Sequence, residues 1–436
     1  MGRKENRIKA KLEKNPVVEC NKIQHRYIPD LMSMFSSTTD PRVQPYVVYS
    51  NRTMLSTLYY KNIGGIVSMQ DMTDKFNEEN VVNNIYSFCG ENAHEFLPHY
   101  VTINEYLRKV DYKEIEKIIH GIAYENIRRR SFDDARFMKK WLVIVDGTQL
   151  YSGSNKINEM CLEKRYNKET EEETINYHID VLEAKIYFGE NLLFSIGSEF
   201  IKNDSDYDPE LSKQDCETKA FKRLAEKIKN QFPRLPIIIL ADSLYASEPV
   251  MNICEDNGWD YIIRYKEGSI PSISEEYEMI PEKNRVGNAE YINEIDYRGR
   301  KINVLRYHET QVSKSKTEEK NFQWITSIEI SKNNAEKLAN TGRLRWKIEN
   351  EAFNRQKNWQ GDITHACSHD MNALMIHYLI YQIADFVKQL YEWFYLKKLG
   401  IEKKQKNISS ELLASFGRQL ISEDISNAEP FEMVLN

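Results

Sequence analysis

The sequence predicts an α/β fold in which helices flank a mixed sheet. Two short apolar runs, 141–145 and 237–241, are each followed directly by an aspartate. Uninterrupted apolar runs of this length are typical of strands that are buried on both faces. The spacing of apolar residues is helical through most of 1–130 and becomes strand-like from residue 141. These observations predict a helical N-terminal region that precedes the sheet.

Seven predicted elements follow one another from residue 141 onward. A hairpin signal at Gly189-Glu190-Asn191 separates two of the strands. The elements are strands at 141–146, 174–188 and 191–200, a helix at 214–230, a strand at 236–242, a helix at 246–257 and a strand at 259–264. Three strands, a helix, a strand, a helix and a strand is the order expected of a ribonuclease H-like core.

Composition and charge narrow the class of protein. With 436 residues the chain can hold two or three structural units, and its 41% apolar content supports an ordinary folded core. The net charge of −6 argues against a generic nucleic-acid coat protein. Six cysteines are scattered without a Cys-x-x-Cys pair, and nine histidines show no metal spacing with them. This pattern argues against a zinc site and favours reduced thiols.

The chain also lacks membrane and export signals. Its N-terminus has no apolar signal core. The most apolar long stretch, 371–396, carries His377, Gln382, Asp385 and Lys388, so it reads as a packed helix and not as a membrane span. The sequence therefore predicts a cytoplasmic protein without a membrane partner.

Two aspartates and one glutamate are the candidate catalytic residues. Asp146 and Asp242 each end a predicted buried strand, where open α/β sheets place their ligands. Glu349 lies on a predicted helix over 342–357. Carboxylates that meet at one edge repel each other unless a cation lies between them, and Mg²⁺ prefers such oxygen ligands. Two ions about 3.5–4 Å apart suit an in-line displacement at phosphorus.

In this order, Asp146, Asp242 and Glu349 resemble the acidic triad of bacterial insertion-sequence transposases, the DDE type with a ribonuclease H-like core. The resemblance covers roughly residues 95–390. It includes the residues around the acids, which are 146–148, 213–217, 242–246 and 343–353.

One subgroup of these transposases carries a Tyr, Arg, Glu, Lys signature around the last acid. Arg345 and Glu349 match its Arg-x-x-x-Glu part. Gly342 stands at the tyrosine position and Gln356 at the lysine position, with Lys357 one residue late. The chain is thus a variant of that signature.

The resemblance implies a transposase that cleaves DNA strands at the ends of an element and transfers them into target DNA. It implies Mg²⁺ or Mn²⁺ as cofactor, with two ions held by the three acids. The implied partners are element-end DNA and target DNA, with a dimer or larger assembly on DNA. The alternatives are a metal-dependent nuclease without strand transfer and a non-catalytic DNA-binding protein derived from a transposase.

Five residues are predicted to contact DNA. Arg345 is expected to orient Glu349 or to bind a phosphate, and the alternative is an ordinary i,i+4 ion pair. Tyr245, Lys266 and Lys357 are candidate phosphate or base contacts, unless they are merely solvent-exposed. Trp324 could stack on an unpaired base, although such a residue is more often part of a core.

Other acids compete for a role at this site. Glu351 is the rival third acid, and it would need a different helix face from Glu349. Asp215 and Glu217 could assist the site, but the sequence favours an N-cap role for the helix at 216–230.

The predicted organisation has four parts. They are a helical N-terminal region at 1–130, a candidate for DNA-end binding; a ribonuclease H-like catalytic core at 135–268 and 335–390; an inserted β-rich subdomain at 269–334; and a C-terminal helical tail at 391–436.

Overall fold

The computed structural model describes residues 14–168, 170, 172–204, 213–266, 268–312 and 317–420. Residues 1–13 of the predicted N-terminal region and 421–436 of the predicted tail lie outside these ranges. The structure is a mixed α/β fold in which helices flank one mixed sheet. The predicted fold class is therefore confirmed.

The described residues before 130 are mainly helical, as predicted. The α-helices are Pro16–Tyr27 (α1), Leu31–Ser36 (α2), Asn51–Ile63 (α3), Met69–Lys75 (α4), Glu79–Cys89 (α5), Tyr100–Leu107 (α6) and Tyr112–Arg128 (α7). Side-chain caps begin several of them; Asp111, for example, accepts a hydrogen bond from the backbone N–H of Lys113. Four of these helices, α1, α3, α6 and α7, pack against a long C-terminal helix, Met371–Tyr391. They form a layer on the core, and a role in binding DNA ends stays a prediction.

The core of the sheet has the predicted order. Its strands are Trp141–Gly153 (β1), Leu162–Tyr166 (β2), Thr174–Tyr187 (β3), Leu193–Ile201 (β4), Ile237–Ala241 (β5) and Asp260–Arg264 (β6). In space the order is β4-β3-β1-β5-β6, with β1 antiparallel to β3 and parallel to β5. Helix Glu217–Gln231 (α8) connects β4 to β5, and helix Glu248–Asn257 (α9) connects β5 to β6. The short β2 was not predicted, because its residues Glu163, Lys164 and Arg165 carry no apolar pattern.

The strands predicted within 269–334 extend this same sheet. After helix Pro271–Met279 (α10) they are Asn284–Val286 (β7), Ala289–Tyr297 (β8), Arg300–Val312 (β9) and Thr317–Thr326 (β10). β10 runs antiparallel to β6, with Trp324 opposite Arg264, and β9, β8 and β7 follow outward. The β-rich character is confirmed, but the segment does not form a separate sheet, because its last strand pairs with the edge of the core.

The C-terminal helices complete the molecule. They are Ala335–Arg343 (α11), Asn354–Asn358 (α12), Met371–Tyr391 (α13) and Gln405–Phe416 (α14). The continuous helix predicted over 342–357 is wrong: α11 ends at Arg343, a turn follows, and a wider π-type turn at Ile348–Phe353 leads into α12. Residue spacing cannot reveal such a one-residue change of register, and π-type turns are frequent at functional sites. Within the described ranges no helix is long and apolar enough to cross a membrane.

Candidate active site

The two aspartates lie at the same level on adjacent parallel strands. Ile144 of β1 pairs in register with Leu240 of β5, so Asp146 and Asp242 follow at equal distances beyond this pair. β5 ends at Ala241, whereas β1 continues to Gly153. An opening therefore forms beside β1 where its neighbour stops. Both aspartates lie at the rim of this opening.

Asp242 also has a local structural role. Its Oδ1 accepts a hydrogen bond of 2.8 Å from the backbone N–H of Leu244, which caps the short turn Ser243–Tyr245. The sequence left open whether Asp242 only caps a turn. Because the cap uses one oxygen, the second carboxylate oxygen stays available for another partner.

Arg345 forms ion pairs with both Asp146 and Glu349. Its guanidinium donates to Glu349 Oε1 at 3.0 and 3.1 Å and to Asp146 Oδ2 at 3.4 Å. Arg345 is 8% exposed, so these charges meet where water screens them poorly. The i,i+4 ion pair considered from the sequence is present, and it extends to the strand end. The rival acid Glu351 instead pairs with Arg355 at 3.7 Å, which favours Glu349 as the third acid.

Buried polar contacts hold the glutamate-bearing segment in place. Gln356 is fully buried, and its amide N–H donates to Gln382 Oε1 at 3.1 Å and to Asp385 Oδ2 at 2.7 Å. Gln382 and Asp385 belong to α13. Because buried polar groups are costly to leave unpaired, these bonds fix one arrangement of α12 on α13. The contacts with α13 thereby hold the segment that carries Glu349 in place.

The departures from the transposase signature have a structural reason. A Cβ atom at Gly342 would lie 2.5 Å from Trp324 Nε1, so the indole ring occupies the space of a side chain at this position. Gln356, at the lysine position, points into the buried contacts with α13. Lys357 is half-buried instead, and the charges of Asp180 and Asp146 affect its pKa.

Two of the residues predicted to contact DNA are buried in this structure, which argues against that role. Tyr245 is 2% exposed, and its hydroxyl donates to Glu217 Oε2 at 2.7 Å. Trp324 is 1% exposed, beneath Gly342 and stacked on Phe322, so no face of its ring is open to a base. Lys266 is exposed and Lys357 is half-buried near the acids. Their contacts with DNA stay predictions.

Trp346, the residue after Arg345, faces outward. The residue is 50% exposed, with the Arg345 guanidinium 5.0 Å from its ring centre. Ile348 and Phe353 of the same segment are buried. The turn at Leu344–Arg345 shifts the helical register and faces the indole outward. An uninterrupted helical pattern could not have indicated this.

Burial raises the pKa of Asp146, and the carboxylates around it raise it further. Burial is the main cause, Arg345 opposes it, and the charges of Glu349, Asp242 and Glu217 add to it, giving a pKa of about 7. Burial also raises the pKa of Glu217, while its hydrogen bond from Tyr245 acts in the opposite direction. Four carboxylates therefore crowd one opening, with Arg345 among them.

This donor set fits a hard divalent cation in its chemistry. All four groups offer carboxylate oxygens, and a cation between them would relieve their mutual repulsion. Within the described part of the chain, however, no group of three His, Cys, Asp or Glu side chains is positioned to coordinate one metal ion. Arg345 lies between two of the acids. Its longer bond, to Asp146, is the contact that a cation would replace.

The raised pKa of Asp146 predicts a pH-dependent effect of Asp146→Asn. Between the ordinary value of 3.8 and about 7, the unfolded chain has lost a proton that the folded chain keeps. The contribution of Asp146 to the free energy of unfolding therefore falls as pH rises through this window. Without metal, Asp146→Asn should gain stability over the wild type by up to about 4 kcal/mol between pH 4 and 8. Urea unfolding in EDTA measures this, and a difference that does not change with pH would contradict it.

Comparison with known proteins identifies part of the chain. Residues 208–382 match the family described as "Transposase DDE domain"; this stretch includes Asp242 and Glu349, and Asp146 precedes it. Among solved structures, the chain is similar to a piggyBac transposase synaptic complex with hairpin DNA, at 11% identity and a TM-score of 0.43, over 97% of this chain and 87% of that one. No curated protein matches the sequence. Residues 208–382 thus resemble a transposase DDE domain, the domain of a polynucleotidyl transferase-type enzyme.

Proposed function

We propose that the chain is the transposase of a bacterial insertion sequence, which cleaves DNA strands at the element's ends and transfers them into target DNA. The observation that carries this proposal is the meeting of Asp146 and Glu349 on one guanidinium, at the level of Asp242. The match of 208–382 to a transposase domain supports the same reaction class.

Asp146, Asp242 and Glu349 would hold the metal. Transposase DDE domains generally use a divalent metal, and we propose two Mg²⁺ or Mn²⁺ ions here. When bound, such ions polarise the phosphodiester and lower the pKa of water. The protein's contribution is geometric: the strand ends fix the two aspartates, and the contacts of α12 with α13 fix Glu349. No covalent enzyme intermediate is required, because the acids act as ligands.

Arg345 is proposed to exchange partners as DNA binds. Its bonds to Glu349 are the shorter ones, so they persist and orient that carboxylate. The longer bond to Asp146 is free to be replaced by one to a phosphate oxygen, which suits a guanidinium. Lys266, Lys357 and the exposed Trp346 are further proposed contacts to DNA. Strand transfer joins two ends, so the working form would be a dimer or larger assembly on DNA.

A strand-transfer assay tests the function. The purified chain is incubated with Mg²⁺, DNA carrying the element's end and a supercoiled plasmid. Transposase activity predicts joined products in which the element end is linked to the plasmid. Cuts without joining would identify a nuclease, and binding without cuts would identify a non-catalytic DNA-binding protein.

Arg345→Ala is expected to damage cleavage more than DNA binding. Loss of the guanidinium releases Glu349 and leaves Asp146 without its cation, and small misplacements at reacting groups can cost on the order of 100-fold in rate. Binding should change less, because other basic residues also neutralise phosphates. Arg343→Ala is the matched control, since Arg343 lies two residues away and pairs with Glu309. Gel shift and cleavage on the same DNA measure both effects, and equal losses would make Arg345 a simple backbone contact.

A further inference from the structure

The carboxylate of Glu217 reaches the opening from the face of the sheet opposite to the one from which Glu349 approaches. Asp146 pairs across β1 and β3 with Glu183, which accepts a hydrogen bond from Tyr378 of α13. This is the face from which Glu349 also arrives. The other face is covered by α8, because a Cβ at Gly197 of β4 would contact Leu224 and Ile228 of that helix. Glu217 is the first residue of α8.

The carboxylate of Glu217 is seated directly on β1. A Cβ atom at Gly147, the residue after Asp146, would lie 2.5 Å from Glu217 Oε1 and 2.8 Å from its Cδ. Gly147 does not have a positive φ, so its backbone conformation does not require glycine. The close approach of Glu217 therefore accounts for a glycine beside Asp146.

Tyr245 fixes the other end of this carboxylate. The buried hydroxyl of Tyr245 donates to Oε2, and Tyr245 lies three residues after Asp242. Among the described residues, Oε1 accepts no hydrogen bond. A glutamate in the first turn of a helix is favoured by the helix dipole alone. The dipole explains neither the buried tyrosine nor the bare Cα at Gly147, which together hold Oε1 against β1 next to Asp146.

We propose that Glu217 is a fourth carboxylate ligand of the divalent metal site, positioned by Tyr245 and by the missing side chain at Gly147. This inference rests on the proposed function. Glu217 and Glu349 approach the two aspartates from opposite faces of the sheet, through the opening that β5 leaves beside β1. Oxygen ligands on both sides suit a pair of hard cations better than three acids on one side. Tyr245 acts as a positioning residue, as partners of metal ligands commonly do.

Metal binding to the full, metal-free chain tests the inference without requiring activity. Mn²⁺ titration, followed by the electron paramagnetic resonance of the free ion, is carried out on the wild type, Glu217→Gln, Asp242→Asn and Glu226→Gln. Glu226 is exposed on the same helix and is the matched control. Glu217→Gln is expected to weaken Mn²⁺ affinity by about 10-fold or more. Glu226→Gln should leave the affinity unchanged.

The outcomes separate this inference from the proposed function. If Asp242→Asn weakens binding and Glu217→Gln does not, the metal site stands and the role of Glu217 is overturned. If the wild type binds no Mn²⁺, or if Asp242→Asn binds Mn²⁺ as tightly as the wild type, the metal site and the role of Glu217 are both overturned.

Two further variants test the geometry independently of Glu217→Gln. Gly147→Ala should weaken Mn²⁺ binding in the wild type but not in a Glu217→Ala background, because the added methyl group then has no carboxylate to displace. Tyr245→Phe should cause a smaller loss than Glu217→Gln. Equal effects of Gly147→Ala in both backgrounds, or unchanged affinity in Tyr245→Phe, would contradict the proposed positioning.

Discussion

Asp146→Asn, Asp242→Asn and Glu349→Gln are each expected to abolish strand cleavage while DNA binding persists. Each amide keeps the shape of the side chain but removes the charge that a divalent cation needs. A loss of at least about 1,000-fold is expected, which corresponds to about 4 kcal/mol in the barrier. Binding should persist, because it depends mainly on basic residues that neutralise phosphates.

Cleavage and gel shift on the same DNA measure these effects. Glu351→Gln is the matched control, because Glu351 lies two residues from Glu349 but pairs with Arg355. It should cleave like the wild type. Normal cleavage by any of the three amide variants would remove that residue from the site. Loss in Glu351→Gln with activity kept in Glu349→Gln would reverse the assignment of the third acid.

The second large effect is expected on stability at Gly342. In Gly342→Ala the new Cβ would lie 2.5–2.9 Å from three atoms of the buried Trp324 ring. Stacking on Phe322 and burial leave the ring little room to move. Overpacking of this kind costs typically about 1–3 kcal/mol, and Gly342→Tyr should cost more. Gly121→Ala is the control: it lies within α7, where the added Cβ would meet Met34 Cε at an ordinary contact distance of 3.9 Å, and it should gain about 0.5–1 kcal/mol.

A double-mutant cycle attributes this effect to the ring. Gly342→Tyr restores the tyrosine of the transposase signature, and Trp324→Ala empties the space that this tyrosine needs. The double variant should be less destabilised than the sum of the two single variants in urea unfolding. Additive losses would mean that the indole ring is not what excludes a side chain at Gly342.

Much of this fold could be predicted because its elements carry strong local signals. The apolar runs ending at Asp146 and Asp242 are fully buried strands, and the hairpin at Gly189 joins β3 to β4. The position of the strands in 269–334 could not be predicted in the same way. Alternation marks a strand but does not specify its partner, and only the pairing of Trp324 with Arg264 attaches this segment to the core sheet.

The sequence predicted which residues form the candidate site better than it predicted the contacts between them. The signature motif indicated Arg345 and Glu349, and their link to Asp146 depends on packing between distant segments. Tyr245 was expected to face DNA, because spacing alone does not reveal that its hydroxyl bonds to Glu217. Glu217 itself was expected to cap a helix. It is the first residue of α8, but Cys216 holds the N-cap position and no side chain caps the helix there. The contact of Glu217 with Gly147 could not be predicted from this position, because the only trace of a close approach in the sequence is the glycine itself.

If the three acids are metal ligands, changing the ligand at Asp242 should change which metal supports cleavage. In Asp242→Cys a thiolate replaces a carboxylate, and this softer ligand binds Mg²⁺ poorly but accepts Mn²⁺ better. Cleavage is measured in each metal for the wild type, Asp242→Cys and Asp242→Ser, the last of which offers no such ligand. Asp242→Cys is expected to be inactive in Mg²⁺ and partly restored by Mn²⁺, while Asp242→Ser should stay inactive in both. Equal loss of cleavage by Asp242→Cys in the two metals, or full activity in Mg²⁺, would contradict the proposal that the acids are metal ligands.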